Sequence, residues 1–322
     1  MHELRWNPVL REWVIVASHR QERPVDVEGE FSECPFCAGS EEVFGDKEIL
    51  ALPNRYPSLV LDASPASSSG DIFKAKPGFG SCEVILETLD HSADLADLPV
   101  AKIALVLSVF AQRYTRYSQV KGIKYVLEFR NKGREIGVTL HHPHSQLYAM
   151  PFIPPIIRRE LSSSRTFWKR TGGCLFCRII DEEMRSGVRL LTKNQHAMSF
   201  LPYYAKWPYE LHLFPRAHAT SLADLNRQQL LGFSRTLKEV LLTYNRLFDF
   251  SMPYVMAVHQ APVEAKSYPY FHMHVEFYPP YRTRDKLKYP GGVERGAGTF
   301  TYDGVPEEKA EELKKAYRRD ST

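Results

Sequence analysis

Two long segments of the chain repeat their apolar residues every three to four positions. Val100, Ile103, Val106, Phe110, Tyr114 and Tyr117 form one stripe, and Leu230, Phe233, Leu237, Tyr244 and Phe248 form the other. That period is the turn of an α-helix, so each stripe predicts an amphipathic helix whose apolar side faces a core. Around each helix the pattern shortens to strand-like runs, EVILET (83–88) and ELHLFP (210–215) ahead of it and YVLEFRN (125–131) and YVMAVHQ (254–260) behind. A loop follows, then a strand that opens on alternating histidines: HPHSQLYAMPFIPP at 142–155 and HMHVEFYPP at 272–280.

The same order therefore occurs twice, and its landmarks keep their spacing. CPFC at 34–37 answers CLFC at 174–177 with an offset of 140. LDHSADLADL at 89–98 answers RAHATSLADL at 216–225 with an offset of 127, and the paired histidines follow with an offset of 130. These near-constant offsets predict a tandem duplication. The expected fold is α+β, with antiparallel strands and a long helix in each half. The halves are placed at 1–155 and 174–322, with IIRRELSSSRTFWKRTGG (156–173) read as a linker.

Composition narrows the class. At 322 residues with 43% hydrophobic content the chain can bury two cores. Forty-two basic against 38 acidic residues leave +4, too even for a protein that binds nucleic acid by charge alone. No apolar run reaches membrane-spanning length, and the first residues carry no export signal, so a soluble cytoplasmic chain without membrane partners is expected. Neither a G-x-G-x-x-G turn nor a P-loop is present, so any nucleotide is held another way.

Four of the five cysteines form two C-x-x-C pairs, a spacing that suits metal more than disulfides. Cys34, Cys37, His91 and His142 supply a Cys2His2 set of the kind zinc takes, and Cys174, Cys177, His218 and His272 repeat it in the second copy. In His-Pro-His the strand period places His142 and His144 on one face, so that one can ligate metal while the other does chemistry. A neutral imidazole whose Nδ1–H is held by a carbonyl presents Nε2 as a nucleophile, and Gln146, on the same face, can hydrogen-bond what becomes attached.

The motif HPHSQ, preceded by NKGREIGVTLH, resembles the His-Pro-His-Gly/Ser-Gln signature of galactose-1-phosphate uridylyltransferases, a branch of the histidine-triad superfamily. The resemblance runs from WNPVLREWVIVASHRQERP through CPFC, PNRYP and DHS to KWPYELHLFPRAH, HQAP, HMHVEFYPP and KYPGGVE. It implies two tandem histidine-triad-like repeats and a ping-pong transfer in galactose metabolism. In that scheme His144 takes UMP from UDP-glucose, releases glucose-1-phosphate, and passes the uridylyl group to galactose-1-phosphate to give UDP-galactose. Gln146 would hydrogen-bond the intermediate, and the first zinc would be structural.

The resemblance also implies substrate contacts at Arg20, Arg23, Asn54, Asn131, Gly137, Lys288 and Glu294. Of these, Arg20, Arg23 and the loop from Lys288 to Glu294 would reach across a homodimer with shared active sites. Some members hold iron through a glutamate and three histidines, matched here as Glu183, His259, His272 and His274. Both second-site sets claim His272, and the soft thiolates favour the zinc set. The chain departs from the family at Leu140-His141 before the motif, at Arg55 and at Val293. An adenylyl-transferring relative such as an ADP-glucose phosphorylase is the alternative enzyme, and a zinc-stabilised nucleotide-binding protein is the alternative outside catalysis.

Overall fold

The computed structural model describes residues 1–22, 34–37, 39–40, 49–66, 70–138, 140–264 and 266–319. The first half contributes β1 (His2–Asn7), β2 (Glu12–Ala17), β3 (Leu50–Pro53), β4 (Ala75–Pro77), β5 (Ser81–Leu86), α1 (Val100–Ser118), β6 (Tyr125–Lys132) and β7 (His144–Met150). Then come α2 (Pro155–Thr171), α3 (Leu175–Ser186), β8 (Leu190–Lys193), β9 (Ala197–Phe200), β10 (Leu211–Pro215), α4 (Arg227–Leu247), β11 (Tyr254–His259) and β12 (His274–Tyr278). A small hairpin, β13 (Tyr281–Thr283) with β14 (Lys286–Leu287), leads to α5 (Gly292–Ala297) and α6 (Pro306–Arg318).

Among the described residues nine strands form one sheet in the order β3-β5-β7-β6-β11-β12-β10-β9-β8. Outward from the central β6–β11 pair, the first half runs 6-7-5-3 and the second runs 11-12-10-9, so the duplication is written in the strand order. The two copies are not separate bodies: β6 and β11 pair antiparallel, with Phe129 opposite Ala257. The long helices lie where the three-four period placed them. Helix α1 buries Ile103, Val106, Phe110 and Tyr117, and α4, opened by a capping box between Asn226 and Gln229, buries Phe233, Leu237 and Tyr244. Both pack on the sheet face that carries Ile85, Leu147, Met256, Val275 and Leu213, forming the main core.

The opposite face is covered unevenly. Residues 156–173, read as a linker, are mostly helical, since α2 spans Pro155–Thr171 and buries Ile157, Leu161 and Ser164. Three consecutive serines and a high charge content hide that amphipathic stripe in the sequence. With Phe176 and Ile180 of α3, the helix packs over Met198, Phe200 and Phe214 of the second half. Strands β9 and β10 are consequently buried at every position, as a strand covered on both faces must be. Strand β7 instead alternates, with Ser145, Leu147 and Ala149 buried and His144, Gln146 and Tyr148 partly open. A separate sheet, β2-β1-β4, pairs Trp6 with Trp13 at the N-terminus. Among the described residues no helix is long and apolar enough to cross a membrane.

Candidate functional site

The C-x-x-C of the first half and its two distant histidines converge. Sγ of Cys34 lies 3.7 Å from Nδ1 of His142, and Sγ of Cys37 lies 3.5 Å from Nδ1 of His91 and 3.8 Å from Nδ1 of His142. A tetrahedral zinc bound at ordinary Zn–S and Zn–N lengths separates its sulfur and nitrogen ligands by about 3.6 Å. The second quartet repeats the arrangement, with Cys177 Sγ at 3.3 Å from His218 Nδ1 and 3.4 Å from His272 Nδ1. In each set the four donor atoms lie within 4.8 Å of one another. The residues thus fit a tetrahedral metal in both halves. Hydrogen bonding from Cys177, reinforced by His218 and His272 against burial, lowers the Cys174 thiol toward the thiolate form, and the same contact together with burial raises Cys177. Burial pulls the His142 imidazole below its usual range, toward the neutral form that ligates.

A chain of hydrogen bonds leads from the first quartet to His144. Nε2 of His142 donates to the carbonyl of Thr88 at 2.8 Å, which leaves its Nδ1 for the sulfurs. The His142 carbonyl in turn accepts from Nδ1 of His144 at 2.8 Å. With the proton on Nδ1, a neutral imidazole carries its lone pair on Nε2. The strand begins only at His144, because Pro143 has no N–H to give a ladder. His142 precedes the strand and is buried, and its ring and that of His144 both lie against Phe36, with centroids 6.0 and 5.6 Å away.

His144 borders a cleft of about 420 Å³ together with Asn131, Lys132, Gly133, Arg130 and Asp94. Gly133 is required there: at φ +96° a Cβ would lie 2.5 Å from Pro253. Of the other sequence candidates, Gly137 (φ +79°) ends the short turn 134–136 beside this wall. Gln146 and Tyr148 continue the open face of β7. Arg20 reaches the far end of that face, donating from Nη1 to Tyr148 Oη at 3.1 Å, Ser58 Oγ at 2.8 Å and the Tyr56 carbonyl at 3.1 Å. Asn54 caps the turn beside it, accepting from the Tyr56 N–H at 2.8 Å. Arg23 lies outside the described residues.

Lys288 and Glu294 do not line the cleft. Lys288 is buried and bonds to the Thr301 carbonyl and Asp303. Glu294 closes α5 by accepting from the Gly291 N–H at 3.0 Å and from Thr301 Oγ1 at 2.7 Å. Both side chains bond to the 301–303 segment.

In the second half the histidine strand is sealed. His274 repeats the local bond, its Nδ1 donating to the His272 carbonyl at 3.0 Å, but it is 1% exposed, with the rings of Phe176 and Phe214 each centred 4.9 Å away. The position of Gln146 is taken by Glu276. The Glu183-containing set is not assembled, since Glu183 is held by Arg189 at 2.7 Å. The side chains that gather with His259 and His274 are Glu160 and Glu276, with donor atoms within 4.8 Å. His272 belongs to the cysteine quartet, so the two second-half sets do not compete for it. Burial opposes protonation of His259, yet Glu160, 3.0 Å away, and Glu276 outweigh it and raise the ring to about 9. Sequence reasoning missed Glu160, which lies on the helix mistaken for a linker, and Glu276, two residues beyond His274 on its strand.

Fold and site define a class: a tandemly duplicated α+β enzyme in which, among the described residues, the first half sets a metal-type quartet beside a histidine that opens on a cleft. The family follows from comparison with known proteins. The N-terminal domain model of galactose-1-phosphate uridyl transferase matches residues 1–154 and the C-terminal domain model matches residues 160–296. A galactose-1-phosphate uridylyltransferase of Thermotoga maritima is 36% identical, with 98% of each chain covered. An ADP-glucose phosphorylase of Arabidopsis thaliana is 26% identical over 97% of this chain and 92% of its own. A solved uridylyltransferase structure superposes with a TM-score of 0.90 at 37% identity, covering 98% of this chain and 99% of that one. The chain belongs to the galactose-1-phosphate uridyl transferase family of nucleotidyltransferases.

Proposed function

We propose that the chain transfers uridylyl groups between UDP-glucose and galactose-1-phosphate, the exchange step of galactose metabolism, through a covalent uridylyl-histidine at His144. The observation that carries this reading is the 2.8 Å bond from His144 Nδ1 to the His142 carbonyl, on the wall of the cleft, in a chain of this family. Nε2 attacks the α-phosphorus, the bond to glucose-1-phosphate breaks, and UMP stays on the ring until galactose-1-phosphate displaces it as UDP-galactose. Gln146 hydrogen-bonds the phosphoryl oxygens. Asn54, Asn131 and Gly137 serve as substrate contacts.

Zinc, held by Cys34, Cys37, His91 and His142 and again by Cys174, Cys177, His218 and His272, supplies structural cross-links. The cluster of Glu160, His259, His274 and Glu276 offers harder donors that suit iron as well as zinc. The absence of Lys288 and Glu294 from the cleft supports a homodimer in which that loop serves the partner's site, and the protein is assigned to the cytoplasm. The test is mass spectrometry after mixing with UDP-glucose or ADP-glucose. A UMP adduct mapped to His144 with release of glucose-1-phosphate supports the reading. An AMP adduct from ADP-glucose alone moves the protein to the adenylyl-transferring relatives, and no adduct from either donor sinks the covalent mechanism.

A further inference from the structure

We propose that Glu87 is a positioning residue for His144, acting through Ser145 and the backbone of Pro143; the inference rests on the uridylyl-histidine reading above. Glu87 is wholly buried and does not line the cleft. Its backbone N–H donates to the Pro143 carbonyl at 3.2 Å, and its Oε1 accepts from Ser145 Oγ at 2.6 Å. Both neighbours of His144 are thereby tied to one residue. The next residue, Thr88, holds the ring of His142, whose carbonyl sets the His144 tautomer. The carboxylate cannot turn away, because Arg130 Nε donates to both of its oxygens at 3.0 Å while the guanidinium is fixed by Tyr254 and Asp94, each at 2.8 Å.

The second half supplies the control. Ile85 faces Ser145 as Leu213 faces Val275, so Glu87 corresponds to Pro215. Phe129 faces Gln146 as Ala257 faces Glu276, so Arg130 corresponds to Val258. The same three places thus hold Glu87, Arg130 and Ser145 in the half whose histidine opens on the cleft, and Pro215, Val258 and Val275 in the half whose histidine is sealed. The apolar trio is buried and packs in the same frame, so the fold itself does not call for the charged one. Buried ion pairs gain little stability over apolar side chains of like volume, and their better-attested use is to fix one arrangement.

Ser145→Ala cuts the link while leaving the Glu87–Arg130 pair in place. Its thermal midpoint and donor Kd should match wild type, while single-turnover adduct formation slows about 10- to 100-fold, the cost of a slightly misplaced reacting group. In the unliganded protein the ¹⁵N spectrum of His144 should change from one tautomer to a mixture. Ser145→Thr, which keeps the hydroxyl, should recover most of the rate. Glu87→Gln is the second cut and should give the same split between binding and rate. Wild-type rates and a single tautomer in both Ser145→Ala and Glu87→Gln overturn the proposal, as does a loss confined to donor binding. If wild type itself forms no adduct, the covalent reading fails, and the tautomer measurement still decides whether Glu87 positions the ring.

Discussion

The two halves share a strand order, a metal-type quartet and the bond from a histidine Nδ1 to the carbonyl two residues earlier. They differ in what lies over the histidine strand. In the second half α2 and α3 close the face, and His274 ends among aromatic rings and carboxylates. In the first half the same face of β7 presents His144, Gln146 and Tyr148 in a row. On the proposed uridylyl-histidine reading, the local conformation that makes an imidazole nucleophilic must be joined by access and by a neutral partner at the glutamine position. A carboxylate in the place of Gln146, as Glu276 is, would repel an incoming phosphate and attract a cation instead.

The strongest attack on this comparison is to remove each histidine. His144→Ala should lower kcat at least about 10⁴-fold, as loss of a nucleophile does. Folded His274→Ala should keep its rate within about threefold, because a buried residue away from the reacting atoms acts through stability. Equal losses in stopped-flow assays would mean that the halves are not specialised.

Breaking the quartets comes next. Cys37→Ser and Cys177→Ser should each lose metal by elemental analysis and melt well below wild type, since structural zinc contributes on the order of 10 kcal/mol. Only the first should also slow transfer at temperatures where the protein stays folded, because His142 carries the carbonyl that sets His144.

The cover itself can be probed by packing. Leu161→Ala, under the helix over the second half, should cost about 2 to 5 kcal/mol in urea titrations. Leu127→Ala, on the open first-half face, should cost less than about 1.5 kcal/mol. The smallest effect concerns the second-half loop that carries Glu294. Hydrogen bonds from Thr301 and the local backbone hold Glu294 at about 2, below its usual 4.5. A depressed carboxylate stabilises its surroundings above the unfolded value and loses that contribution as pH falls through the folded one. Protection of the Gly291 and Thr301 amides, taken relative to the intrinsic exchange rate at each pH, should therefore be full above about pH 4.5 and fall between there and pH 2, while the His144 strand keeps its protection in that window.

Much of this was readable from residue order. The helix stripes, the strands flanking them and both Cys2His2 quartets follow from spacing and repetition, since a duplicated pattern reports twice. The proline-spaced histidines pointed to His144, whose Nδ1 lies 2.8 Å from the His142 carbonyl. What could not be read depended on distance in sequence. Glu160 sits on a helix whose serines and charges mask three buried positions, so its meeting with His259 had no local signal. Glu183 was matched to the iron-binding glutamate of the family resemblance, yet its Oε1 is bonded to Arg189. Arg20 and the Lys288 loop are held within the chain by partners that no motif specifies.

The seam between the halves has a bearing on biosynthesis. Strand β6 ends at Lys132, and its partner β11 does not begin until Tyr254, 122 residues later. At translation speeds of about 5 to 20 residues per second, the first half emerges with β6 as an open edge for roughly 6 to 25 s. That edge carries Leu127 and Phe129 and offers a row of unsatisfied backbone groups, the template on which neighbouring nascent chains pair wrongly. Slower ribosomes or crowded polysomes should lower the soluble yield of this protein before any step of its chemistry is affected.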